Sequence, residues 1–312
     1  MAVSIMLELL RIAALFTLCL TLAPGMLSPV RADDLIPSNP TPVVTIHSSG
    51  GRVTVNGSAA VAGLQLQPGL ANVRLSHFAL DQTTRSRIMV PATRTRLFGR
   101  HGWRMFQLPP RQFFVPHLND NNDGIAFENP GGDINLGVPR RVGVLFINAD
   151  GGDVVLNRVR GPYVITGNPA SVRLQNVVGH GFIRTTSGNI ILVGIGGDVH
   201  IQTATGRIIA RGSAVETADV VCQSGSIDWR FARLGAGSYR FRSGDAPIRL
   251  SFRPGVAALV DFQSDRGSVQ NNLDAGIAQA RFVSAHAMSI AINGGGPEVT
   301  AASAGGDVTI TP

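Results

Sequence analysis

The chain has 312 residues, a formal net charge of +7, 37 glycines and only 6% aromatic residues. Abundant glycine with scattered Val and Ile pairs argues against long helices, and every basic residue is arginine because lysine is absent. Arginine offers a planar five-donor fork suited to phosphate, sulfate and carboxylate groups.

In chain order, residues 1–32 come first. Arg11 precedes an apolar run from Ile12 to Ala23, Pro24 and Gly25 break it, and Val30-Arg31-Ala32 places small residues at −3 and −1 of a cleavage site. This pattern predicts a secretory signal peptide cleaved after Ala32, because the run is shorter than the roughly 20 apolar residues a spanning helix needs. Cys19 lacks a small residue before it and is not read as a lipidation site. Export would place the protein in the periplasm, outside the cell or on its surface. The mature chain keeps a net charge of about +6 and one cysteine, Cys222. An intramolecular disulfide is thereby excluded, and stability must come from a buried core that a chain of this length can build. In Val220-Val221-Cys222 the thiol reads as a small buried hydrophobe.

Residues 33–75 form an N-terminal β cap or first rungs, because Val43-Val-Thr-Ile-His-Ser-Ser-Gly-Gly51-Arg-Val-Thr-Val55 carries the pattern found later. Residues 76–130 break that pattern with Pro91, Pro109, Pro110 and Pro116 and with Phe98, Trp103, Phe106, Phe113 and Phe114. This stretch reads as an insertion or capping subdomain. Its arginines, Arg85, Arg87, Arg94, Arg96, Arg100, Arg104 and Arg111, form the candidate surface for an anionic ligand, with a solvated face as the plainer alternative.

Residues 131–312 repeat one short unit: a glycine, a small or polar residue, then alternating apolar residues. It starts at Gly132-Asp133, Gly152-Asp153, Gly188, Gly197-Asp198, Gly206, Gly225, Gly244-Asp245, Gly267 and Gly306-Asp307. The spacings of 20, 9, 9, 19 and 19 residues suggest a period near 19 with a half-period near 9. Each unit predicts a strand of four to six residues after a tight corner, where glycine tolerates positive φ and the next Asp, Asn or Ser bonds to nearby backbone to close the turn. Such units bury their apolar side only by stacking, and about nine of them would make a rod on the order of 45 Å long. The expected fold is all-β, a parallel β-solenoid.

Catalytic signatures such as Gly-x-Ser-x-Gly, His-Glu-x-x-His and Cys-x-x-Cys are absent from the sequence. The recurring aspartates Asp133, Asp153, Asp198, Asp245 and Asp307 could line one edge and bind Ca²⁺ or flank a glycosidic bond. The mixture with Asn189, Arg207, Ser226 and Ser268 at equivalent places favours turn closure instead. Two calcium motifs fail on inspection. His200 interrupts the roll-like Gly194-Ile-Gly-Gly-Asp198, and Pro130 stands where a loop beginning at Asn119 needs Glu. No cofactor or metal site is expected.

The segments Thr185-Thr-Ser-Gly-Asn-Ile-Ile-Leu192, Gly197-Asp-Val-His-Ile-Gln-Thr-Ala-Thr-Gly-Arg-Ile208, Ile292-Asn-Gly-Gly-Gly-Pro-Glu-Val-Thr300 and Gly305-Gly-Asp-Val-Thr-Ile310 resemble the bacterial adhesin-like family whose β-solenoid domain is nicknamed the toast rack. The resemblance spans roughly 131–312. It implies a right-handed, single-stranded β-helix-like fold, an envelope location and adhesive or sensory roles, and it supplies no catalytic residues. The expected function is therefore a non-catalytic exported binding or scaffold module. Its expected partners are an envelope polysaccharide or other polyanion, or a protein, with self-association through the solenoid ends; nucleic acid is a poor partner for an exported protein. The rival readings are a polysaccharide-active β-helix enzyme and an envelope-stress sensor that binds a protein.

Overall fold

The structure, a computed structural model, describes residues 41–61, 63–66, 73–78, 87–90, 93–99, 102–108, 111–114, 124–168 and 170–312, together with 28–29, 35–36 and 38. Across 87–114 only the backbone course is described. The expected cleavage point after Ala32 lies outside these residues. All regular elements described are β-strands, most of them paired in parallel.

The building unit is a coil of two short strands joined at a corner, as in Tyr163–Gly167 followed by Ala170–Gln175. The next coil repeats it with Gly181–Thr185 and Ile190–Val193. Each strand pairs in parallel with its counterpart one coil away, Tyr163 with Gly181 and Gly181 with Val199 in one line, Val172 with Ile190 and Ile190 with Ile208 in the other. The coil in this middle region is therefore 18 residues, one shorter than the glycine spacing suggests. The nine-residue half-period is the offset between the two strand lines.

Alternation along each strand drives this arrangement. Val172, Leu174, Ile190, Leu192, Ile208 and Ala210 point inward with at most 1% exposure, while Arg173 and Ile191 alternate outward. Each fully buried aliphatic side chain contributes roughly 1.5–3 kcal/mol. One continuous core cluster runs through the whole stack from Ile36 to Ile310. Coils widen where the core residues become large. Ala218 pairs with Tyr239 and Ile227 with Ile248, a step of 21 residues, around Trp229, Phe231, Phe241 and Phe252, whose neighbouring rings are 5.1–6.2 Å apart. The long extended run Gly196–Phe231 wraps through successive coils, because Thr217 meets Asp198 and Gly225 stacks on Gly206.

The order of coils in space differs from their order in the chain. The coil formed by Val43–Ser48 and Val53–Ser58 lies between the 124–139 coil and the 144–157 coil. At the opposite end, the 298–311 coil lies between the 239–252 coil and the 258–271 coil. Nine coils thus come from residues after 124 and a tenth from 43–58. The first of the nine begins with the strand Gly124–Asn129. Both ends are closed by antiparallel strands. Arg74–Phe78 and Leu64–Leu66 cover the 124–139 coil, and Ala287–Ile292 followed by Ala278–Val283 cover Ala258–Ser264. An uncovered terminal coil would expose apolar interior and a row of unpaired backbone groups.

Two further antiparallel ribbons of two strands each are formed by Arg87–Val90 with Arg111–Phe114 and by Thr93–Gly99 with Gly102–Leu108. The strand Gly102–Leu108 lies against the Gly196–Phe231 run.

Candidate ligand-binding surface

The glycine corners stack into a column. A Cβ on Gly152 would meet the Gly51 carbonyl oxygen at 1.9 Å, on Gly206 that of Gly188 at 2.1 Å, and on Gly225 that of Gly206 at 1.9 Å. Coils approach so closely at this edge that no side chain fits. Gly197 belongs to a different column, above Gly179 and Gly161, so Asp198 is not equivalent to the corner aspartates. Asp245 is likewise displaced, since the register Ile227 with Ile248 puts Pro247 opposite Ser226. What remains in line is Asp133, Arg52 and Asp153 at one end and Asp307 at the other, with Arg52 between the first two carboxylates. The aspartates thus do not form a continuous acidic edge. Among the described residues no group of three His, Cys, Asp or Glu is placed to hold a metal ion.

The corner aspartates also do not close their own turns. Asp133 Oδ1 accepts the Arg52 N–H at 2.8 Å, Asn189 Oδ1 accepts the Arg207 N–H at 3.1 Å, and Asp307 Oδ1 accepts both the N–H and the hydroxyl of Ser268 at 2.8 and 2.9 Å. In each pair the acceptor holds an amide of the neighbouring coil. These two Ser268 bonds keep the Asp307 carboxyl below the usual carboxylate range. The turn carbonyls are satisfied from inside instead. Ser48 donates to Gly50 O at 2.7 Å, Thr203 to Thr205 O at 2.7 Å, Ser243 to Ala246 O at 2.6 Å and Ser264 to Gly306 O at 2.8 Å. Cys222 occupies the same inward position, with Sγ 3.6 Å from Gly206 O, and burial pushes its thiol up to about 12.

Of the arginines expected to form an anionic surface, Arg85 and Arg100 lie outside the described residues. Arg87, Arg94, Arg96, Arg104 and Arg111 fall on the ribbon strands. The ribbon register pairs Arg94 with Gln107 and Arg96 with Met105 but Arg104 with Leu97, so Arg104 has the opposite parity. On the coils, Phe182, Arg184 and Gln202 alternate outward from the core yet are 1%, 3% and 3% exposed. The Arg184 guanidinium lies 5.3 Å from the Phe182 ring centroid, and its Nε donates to Gln202 Oε1 at 3.1 Å.

A second arginine surface, missed in the sequence, lies at the corner after the second strand line. Asn56 Nδ2 donates to Asn135 Oδ1 at 3.0 Å, and Asn157 Nδ2 donates to Asn56 Oδ1 at 2.9 Å, forming a ladder of fixed amides across coils. Asn56 and Asn157 line a concavity of about 290 Å³ together with Gly57, Arg158, Gln175 and Asn176. The register-equivalent residues Arg158, Asn176, Gly194 and Gly212 all have left-handed φ, at 56°, 54°, 62° and 63°. Asparagine tolerates that conformation; arginine does so only at a cost of roughly 1–2 kcal/mol. Next to it the chain continues along a third side, where Arg141, Arg160, Val178 and Gly196 form successive parallel bridges. Arg140, Arg141, Arg158, Arg160 and Arg173 are all exposed, and none is in an ion pair among the described residues. The sequence signal was available in part, because Arg141 and Arg160, which bridge directly, are 19 residues apart.

The family model Toastrack DUF4097 matches residues 112–311, and the chain belongs to that family. Among solved structures, a "putative cell adhesion protein" from Clostridium sporogenes aligns over 91% of this chain and 99% of its own, at 8% identity and a TM-score of 0.26. No curated protein matches the chain.

Proposed function

We propose that this chain is an exported, non-catalytic, adhesin-like protein of the cell envelope that uses its stack of coils as a binding scaffold. The observation that carries the reading is a stack of ten coils among the described residues, nine of them within the toast-rack match, whose ends are covered by antiparallel strands, leaving the long flanks as the surface on offer. Outward positions along those flanks repeat about every 4.8 Å, which suits an extended partner such as an envelope polysaccharide better than a compact substrate. A right-handed coil accords with the strong preference of parallel strand connections for that hand. Self-association has one route at the ends. Among the described residues Ala278–Val283 pairs on one side only, so its outer edge could take a strand from a second copy.

Expression of the full chain in a bacterial host, with cell fractionation and N-terminal sequencing, tests export. The expected product begins at Asp33 in the periplasmic, surface or secreted fraction. Incubation of the purified product with isolated envelope polysaccharide tests the rest: retention without release of new reducing ends is expected. Cytoplasmic retention with Met1 intact, or depolymerisation of the polymer, would reject the reading.

A further inference from the structure

We propose that the concave corner formed by Asn56, Asn157, Gln175, Asn176 and Arg158, with Arg140 and Arg160 beside it, binds an anionic polysaccharide. The inference rests on the binding-scaffold reading and assigns that scaffold a site and a ligand class.

Three observations converge. The first is charge without compensation: segments 139–142 and 157–162 each contain two arginines, and neither they nor segment 175–179 on the next coil contain Asp or Glu. Elsewhere exposed arginines do find carboxylates on neighbouring coils, as Arg242 does with Asp219 at 3.0 Å and Arg266 with Asp245 at 2.7 Å. Here the guanidinium forks stay available for bidentate contact with carboxylate or sulfate. The second is the amide ladder. Side-chain amides present donor and acceptor side by side, matching the hydroxyls of a sugar ring, and the Asn135–Asn56–Asn157 bonds hold the middle of the ladder in place before any ligand arrives. The third is Arg158 itself. The next coil places asparagine at its register position and the two after that glycine, yet this coil keeps an arginine at φ 56° with its side chain exposed. Strain retained at a residue that packs against no core is the signature of a functional position.

The same features disfavour other polyanions. Single-stranded nucleic acid calls for aromatic stacking platforms, and this corner has none. A membrane surface calls for several protruding apolar groups on a flat face, whereas the amides line a recess and Val178 is the large apolar residue exposed beside it.

The test uses the full chain and four probes: polygalacturonate, heparin, neutral dextran and phosphatidylglycerol vesicles. The wild type should bind the two anionic polymers in a salt-sensitive manner. The Arg140→Gln/Arg158→Gly/Arg160→Gln variant should lose affinity for them by about tenfold or more, as expected when charge-assisted hydrogen bonds are removed. Arg158→Gly alone should weaken binding while raising the melting temperature, because glycine relieves the left-handed strain. An Arg240→Gln/Arg249→Gln control, which removes equally exposed arginines elsewhere, should bind as the wild type does. Equal binding by the triple variant, equal loss in the control, or vesicle binding as tight as polymer binding would each overturn the proposal. In all three the protein still binds a polyanion, so the scaffold reading survives. A wild type that binds neither anionic polymer removes this ligand class, and the export and retention experiment then judges the scaffold reading separately.

Discussion

Gly206 has φ +118°, and its missing Cβ would sit 2.1 Å from a backbone oxygen of the adjacent coil, whereas Gly212 has φ +63° and open space around it. Gly206→Ala should therefore lower stability by more than the roughly 1–3 kcal/mol of backbone strain, because the coils must also separate, while Gly212→Ala should cost only about 1–2 kcal/mol. Urea unfolding of the two variants measures the difference. Asp307 allows a test by pH. Its folded carboxyl titrates below the ordinary value, so its ionised form adds stability above about pH 4, and that contribution is lost as pH falls through the depressed folded value. Wild type should exceed Asp307→Asn in urea midpoint at neutral pH, and the gap should close in acid. Cys222 is fully buried and its thiol is pushed up to about 12, so alkylating reagents should leave the folded protein unmodified. Cys222→Ser should fold, since Thr203, Ser243 and Ser264 occupy the same inward position in other coils and bond to the corresponding carbonyls.

At the level of elements, the strands of the body and those of the caps have different tasks. A body strand is buried between two parallel neighbours and contributes through its inward residues. A cap strand turns antiparallel and ends the ladder. Ala287–Ile292 illustrates the second role: Ile290 pairs with Val260, is fully buried and shuts the interior of the last coil. Ile290→Glu places a charge there and should destabilise by about 3 kcal/mol or more, with self-association visible by size-exclusion chromatography as the uncovered edge seeks a partner.

In the molecule as a whole, the two chain ends of the stack are built inward. Removing the last coil of an ordinary solenoid peels off one nearest-neighbour interface. Here, deletion of residues 297–312 removes the ninth coil of ten in spatial order and leaves the 258–271 coil and its cap without the strands they rest on. The expected outcome is loss of hydrogen-exchange protection throughout 258–292 as well as in Tyr239–Ser243 and Ile248–Phe252. Protection confined to its wild-type pattern up to residue 292 would contradict the stacking order. The same logic makes 43–58 indispensable, because it joins the 124–139 coil to the rest.

Much of this architecture was legible without coordinates, and the division follows from what is local. Period and parity are properties of short stretches: glycine before an alternating Val, Ile or Leu segment specifies a corner and an inward face wherever the segment ends up. The all-β class, the stacked coils and the buried thiol all follow from that. Tertiary structure alone decided which coil lies beside which, because coil order depends on covering open edges, and any coil of matching width can serve. It also decided which residues share a column. Two extra residues before Pro247 move Asp245 out of line, a second glycine column claims Asp198, and the placing of the 43–58 coil beside the 144–157 coil brings Asn56 to Asn157 and Arg158, about a hundred residues away in the chain, at one concave corner.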